Sequence, residues 1–345
     1  MTNPEIYRDR VQSQIDQYKD VEEIHDLPEI FDYWSPKYLL PKVSGIFGCS
    51  SRAEIFSNAL IGERRNNNSP LVFASLGAGD CSIEIEIAQA ILKSGVRDFR
   101  MDCFELSPLL LERAASSIEN AELTNNLKPA RCDVNEQHIH DHYDGVMAHF
   151  SLHHFVELER IFDNVKKMLR PKANFVIADA IGRNGHMRWP ETLRLIQLIW
   201  HTLPDEKKFN RQFQAQWDDY VNWDCSGEGF EGIRAQDILP LIVERFHFSH
   251  FAVAGGLVDP FIDRGIGPNF DIKNKRDLAF IDAMQYLNQL LLEAGVIKPT
   301  MMFASVRNEP CDCKHEKNLT PAFCVRVPVL GAEDGPGPLF APVSK

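Results

Sequence analysis

Apolar and polar positions change rhythm along the chain. Over residues 1 to about 65, Ile6, Val11, Ile15 and Tyr18 recur near helical spacing and predict a helical N-terminal cap. The aromatic stretch FDYWSPKYLLPKV is broken by Pro36 and Pro41 and is expected to pack over another part of the molecule. RAEIFSNALI reads as a further short helix, and GERRNNNSP, Gly62 to Pro70, as a polar boundary. From Leu71 onward, short apolar runs alternate with amphipathic segments. LVFASL (71–76), FRMDCFE (99–105), ARCD (130–133), YDGVMAH (143–149) and NFVIADA (174–180) read as five strands. Between them, Ile83, Ile87, Ala88 and Ile91 share one helical face before Gly95. Ser107 caps the next helix and Pro108 takes its first turn. A third helix runs from about Phe155 to Leu169 and stops before Pro171. This alternation predicts a doubly wound, mostly parallel sheet.

The remainder is less regular. A helix opens at Pro190, another covers AQDILPLIVERF, FSHFAVAG is a sixth strand, and KRDLAFIDAMQYLNQLLLEAG is a long helix. PTMMFASVR is the seventh strand, and the helix before it lets it return antiparallel. The expected fold is therefore α/β: a cap over 1–65, a core domain over 66–310 and a tail over 311–345. Insertions at about 181–235 and 257–276 are long for a bare sandwich and are expected to wall a substrate pocket.

Charge narrows the partners. A formal charge of −12 argues against a nucleic-acid backbone as partner. The N-terminus has no apolar core of a secretion signal, and no uncharged apolar run nears the ~18 residues of a membrane span. The eight cysteines then read as reduced thiols in a cytoplasmic protein. The aromatic cap suits a lid or a homodimer interface.

Ligands of such sheets bind beyond the carboxyl ends of the strands. GAGD (77–80) follows the first strand, with Gly77 and Gly79 allowing close backbone approach and a helix N-terminus favouring an anion. Glu105 ends the second strand, where a carboxylate can accept from both ribose hydroxyls. Asp133 follows the third and can accept from an adenine amine. HFSLHH (149–154) follows the fourth, and Asp179 with IGRNGH the fifth. A pyrophosphate loop usually carries a third glycine, and here Cys81 and Ser82 stand instead, so a carboxylate is the better-fitting anion.

LGAGDCS, FELSP, CDV, YDGVMAHFSLHHF and VKKMLRPKANFVIAD together resemble the seven-stranded S-adenosylmethionine-dependent methyltransferases, over roughly residues 70–180. The resemblance implies that Gly77, Ala78 and Gly79 pass under the methionine part, Glu105 beside Leu106 holds the ribose, Asp133 and Val134 border the adenine, and His149 and Phe150 lie near the sulfonium. Ser75 stands where the family often has an acid at the methionine end, and Cys81 where it often has a glycine. His153, and after it His149, are the candidate catalytic groups; a hydroxyl acceptor benefits from a base, for which histidine is the usual choice. His154, Asp179, Arg183, Asn184 and Glu228 are the candidate substrate contacts, and Glu231 can bind an amine. HIHDH (138–142) and CDCKH (311–315) match no closed zinc pattern, so no metal is expected. The implied activity is methyl transfer from S-adenosylmethionine to an oxygen or nitrogen of a small metabolite. Two other readings fit the same loop: a fold that keeps the cofactor cleft without turnover, and a nicotinamide-dependent oxidoreductase.

Overall fold

A computed structural model describes residues 4–17, 27–64, 70–227 and 229–327. The strands are β1 (Leu71–Leu76), β2 (Phe99–Glu105), β3 (Leu127–Arg131), β4 (Tyr143–His149), β5 (Leu169–Ala180), β6 (Phe209–Asn210), β7 (Ala215–Gln216), β8 (His247–Ala254), β9 (Met301–Arg307) and β10 (Lys314–His315). The helices are α1 (Pro4–Gln17), α2 (Glu29–Trp34), α3 (Leu40–Phe47), α4 (Arg52–Ile61), α5 (Ser82–Lys93), α6 (Pro108–Asn120), α7 (Leu158–Met168), α8 (Pro190–Trp200), α9 (Ala235–Arg245), α10 (Lys275–Glu293) and α11 (Pro321–Cys324). Among the described residues no helix is long and apolar enough to cross a membrane.

The main sheet runs β10-β8-β9-β5-β4-β1-β2-β3. β1 to β5 are parallel, and β9 lies antiparallel between β5 and β8, as the helix before it predicts. The sheet has eight strands rather than seven, because Lys314 and His315 pair in parallel with His250 and Phe251 on β8. Two residues of pairing leave no hydrophobic alternation to read. Chain order reverses between β4 and β1, which puts the switch-point crevice above Leu76 and His149.

Three prolines behave differently from what the sequence predicts. β3 begins at Leu127, ahead of the expected ARCD, and contains Pro129. It is the edge strand, so the N–H that proline lacks is not needed by a further neighbour. Pro36 and Pro41 do not break the aromatic segment. α2 continues through a π-turn over Ser35–Leu39 into α3, with Leu40 N–H bonding to Ser35 C=O. A wider turn accommodates the missing proline donor without ending the helix. This rod is anchored on α10: Trp34 Nε1 donates to Gln285 Oε1 (2.7 Å), and Tyr38 Oη to Asp282 (2.6 Å).

The two insertions are tied together below the crevice. Arg188 donates to Asp259 (2.9 Å), which also accepts from Thr300 Oγ1 (2.6 Å) just before β9. α4 lies directly on β4 at Gly145, where a Cβ would stand 2.9 Å from Leu60 Cδ2 and 3.0 Å from the Leu60 carbonyl. Backbone cannot yield there as a flexible side chain would. Gly145→Ala is expected to cost about 1–3 kcal/mol, the usual range for overpacking, read as a lower urea midpoint.

Candidate active site

The loop leaving β1 is held from both sides. Gly77 and Ala78 N–H both bond to Phe104 C=O at the end of β2 (2.9 Å each). Gly77 and Gly79 have left-handed φ of 70° and 57°. A Cβ on Gly77 would stand 2.6 Å from Ser151 Cβ, so the loop after β4 presses on the glycine loop. Ser151 Oγ donates to Leu76 C=O (2.6 Å) and fixes that contact. Cys81 is also left-handed, with φ 61°. The loop thus keeps a glycine-like backbone at the position without a glycine. Its thiol is buried; a bond to Cys103 and burial hold it far above the ordinary thiol range and leave it inert.

Three carboxylates surround this loop. Glu105 Oε2 accepts from Gly79 N–H (2.9 Å) and Oε1 from Ser107 N–H (2.8 Å). Burial raises its pKa, while these backbone donors pull it back. Its remaining lone pairs are available to the crevice. Asp133 Oδ1 accepts from Asn135 N–H (2.9 Å), and both its oxygens receive Tyr7 Oη of α1 (3.0 and 2.8 Å). Glu84, in the first turn of α5, is the third. Its Oε1 accepts from Ser75 Oγ (2.7 Å), and its Oε2 is buried without a hydrogen-bond partner. Burial pushes its pKa up to about 7 against the Ser75 bond. Ser75 itself is buried and does not line the cavity; where the sequence lacks an acid, the helix supplies one from nine residues on.

A second polar group stands at the tips of β4 and β5. Asp179 is fully buried and accepts from Ser151 N–H (3.0 Å), Leu152 N–H (2.8 Å), Ala180 N–H (2.8 Å) and His153 Nδ1 (2.6 Å). His153 Nε2 lies 3.4 Å from Glu231 Oε1, and His186 Nε2 lies 2.7 Å from the same oxygen. His154 Nδ1 is 3.7 Å from Glu231 Oε2. Burial opposes a charge on His153, but Asp179 and then Glu231 outweigh it and raise its pKa to about 10. Burial and the charge of His153 push His154 down to about 3. Burial alone would raise Glu231; bonds from His153 and His186 hold it well below the carboxylate range instead.

Both polar groups line one cavity of about 1310 Å³. Gly77, Ala78, Gly79, Glu105, Leu106, Asp133, Val134, His149 and Phe150 line it, as do Glu84, His153, His154, His186 and Glu231. His149 packs edge-on against Phe56 and Phe150. Three expected substrate contacts do not reach it. Asp179 is consumed by its four donors. Arg183 reaches back to Arg188 C=O (3.4 Å), and Asn184 exchanges bonds with Gln236 (3.3 and 3.2 Å). Glu228 lies outside the described residues. Leu39, Val43 and Phe56 of the N-terminal helices supply apolar wall, while Gln212 and Arg264 come from the insertions.

Residues 75–175 match the family described as a methyltransferase domain. No curated protein matches the chain. Solved structures similar to it include geranyl diphosphate methyltransferase in complex with SAM, at 10% identity over 74% of this chain and 84% of that one (TM-score 0.42). Others are the 4+2 cyclase SpnF, at 12% over 76% and 84% (TM-score 0.43), and the O-methyltransferase of a trans-AT polyketide synthase of Brevibacillus brevis with S-adenosyl-L-homocysteine, at 13% over 74% and 71% (TM-score 0.41). The stretch that matches a methyltransferase domain contains the glycine loop, Glu105, Asp133 and His153.

Proposed function

We propose that the enzyme methylates an oxygen or nitrogen of a small-molecule metabolite, on a sugar or natural-product scaffold. The observation that carries this reading is the single cavity joining the glycine-loop carboxylates to the histidine group. At about 1310 Å³ it exceeds the roughly 300–1,000 Å³ typical for one drug-sized ligand, which leaves room for cofactor and acceptor together. The N-terminal helices roof it, an arrangement suited to a molecule that enters whole.

The residues present fit the cofactor. Gly77, Ala78 and Gly79 give a side-chain-free floor, and Glu84 offers an orphaned carboxylate oxygen to an ammonium at the methionine end. Glu105, held by two backbone donors, presents fixed acceptors to a diol, beside Leu106. Asp133 and Val134 border the base, where Tyr7 now occupies the carboxylate. His149 and Phe150 form the wall near the reacting centre. The cofactor, when bound, supplies an electrophilic methyl carbon. The chain's own task is then orientation and exclusion of water. His153, oriented by Asp179, faces the acceptor with Glu231 and His154 beside it. A histidine–carboxylate group of this kind suits an acceptor that carries a proton on oxygen.

Calorimetry with S-adenosylhomocysteine tests the cofactor half. Glu105→Gln turns an amide hydrogen toward a backbone N–H and is expected to weaken binding by about 10- to 100-fold. His153→Gln is expected to leave that affinity nearly unchanged while kcat falls by about 100-fold or more. Absence of binding to folded wild-type protein would overturn the reading.

Glu84 gives a pH test. Its folded pKa near 7 lies above its ordinary 4.5, so ionising it penalises the folded state. The contribution is most favourable below pH 4.5 and declines as pH rises through 7. Glu84→Gln is expected to gain about 3 kcal/mol relative to wild type between pH 4.5 and pH 8 in cofactor-free protein, measured by urea unfolding. Parallel pH curves for the two proteins would contradict it.

A further inference from the structure

One donor atom each from His153, His186 and Glu231 lie within 4.8 Å of one another, and Nε2 of both histidines faces Glu231 Oε1, at 3.4 and 2.7 Å. They come from three separate segments: the turn after β4, the loop after β5 and the loop before α9. The loops carrying His186 and Glu231 are stitched by Gly185 N–H to Gly232 C=O (2.9 Å). Gly185 and His186 are both left-handed, with φ of 63° and 52°. For His186 that conformation costs about 1 kcal/mol or more, and it turns the ring toward Glu231. His154 Nδ1 adds a further nitrogen, buried without a hydrogen-bond partner and 3.7 Å from Glu231 Oε2.

We propose that His153, His186 and Glu231 form a binding site for one divalent transition-metal ion, with its open positions facing the cavity and taking an oxygen of the methyl acceptor. The spacing suits this. Donors on a tetrahedral zinc at about 2.0–2.1 Å stand roughly 3.3–3.4 Å apart. The His153–Glu231 distance is 3.4 Å, and the His186–Glu231 distance of 2.7 Å needs to open by only about 0.6 Å to match. Asp179 on His153 Nδ1 is the outer carboxylate that fixes a ligating imidazole and leaves Nε2 for the metal. Charge also balances, since Glu231 and Asp179 offset two positive charges. Two nitrogens and one oxygen suit zinc, iron or cobalt and not magnesium or calcium, which prefer all-oxygen shells. Three protein ligands leave positions for exogenous oxygen. The ion would then bind a hydroxyl, phenol or carboxylate oxygen of the acceptor, with His153 as its ligand. The sequence hides the site because its ligands lie 33 and 45 residues apart in separate loops.

The inference rests on the cavity being the acceptor site of the proposed methyltransferase, and the test separates the two. Chelator-stripped full-length protein is titrated with Zn²⁺ by calorimetry and with Co²⁺ by visible absorption. One equivalent per chain, with cobalt ligand-field bands, is expected. Glu231→Gln and His186→Gln are expected to weaken binding of both ions by at least about 10-fold. S-adenosylhomocysteine affinity, measured on each variant, reports that the fold is intact and is expected to stay near wild type. Wild-type protein that binds S-adenosylhomocysteine but neither ion overturns this inference alone. Equal ion affinity in Glu231→Gln and wild type also overturns it. Loss of S-adenosylhomocysteine binding by wild type would instead strike the functional reading.

Discussion

One buried carboxylate organises the site. Asp179 gathers three backbone N–H groups and the His153 ring at the end of β5. A buried charge is tolerated only when its lone pairs are filled in this way. The turn it captures carries Ser151, which bonds to the end of β1 and packs against Gly77 at a distance no side chain could share. The histidine end and the glycine loop are therefore set by the same interaction. A fault at Asp179 would be felt at both.

Much of this was legible in the chain. Strand–helix alternation from Leu71 indicated the parallel core, and the acids at the tips of β2 and beyond β3 stood out because strand ends are where ligands bind. Other features carry no one-dimensional signal. Tyr7 meets Asp133 from 126 residues away, and Glu231 meets His153 only through a stitched pair of loops. Pro129 hid an edge strand because proline argues against a strand in general, not at an edge. Asp179, Arg183 and Asn184 were expected at the pocket for the same reason that loops favour function. The structure spends them on backbone and neighbouring loops instead, as polar groups near a buried turn must be satisfied.

The glycine loop shows how one backbone geometry can be built from different letters. Cys81 keeps a left-handed backbone without a glycine, its side chain buried at the helix start. Ser75 replaces an acid but bonds to Glu84, which brings a carboxylate to the loop from the helix. The loop keeps a left-handed turn at Cys81 and gains a carboxylate from Glu84, which is fully buried where it sits.

The central claim is that this cavity delivers a methyl group to a small molecule. Its most direct test is to incubate the enzyme with S-adenosylmethionine tritiated at the methyl group and a complete cell extract, then separate products by size. The account predicts label in the low-molecular-mass fraction, lost when His153 is replaced by Gln. Label confined to protein or nucleic acid, or cofactor binding with no transfer into any fraction, would contradict it.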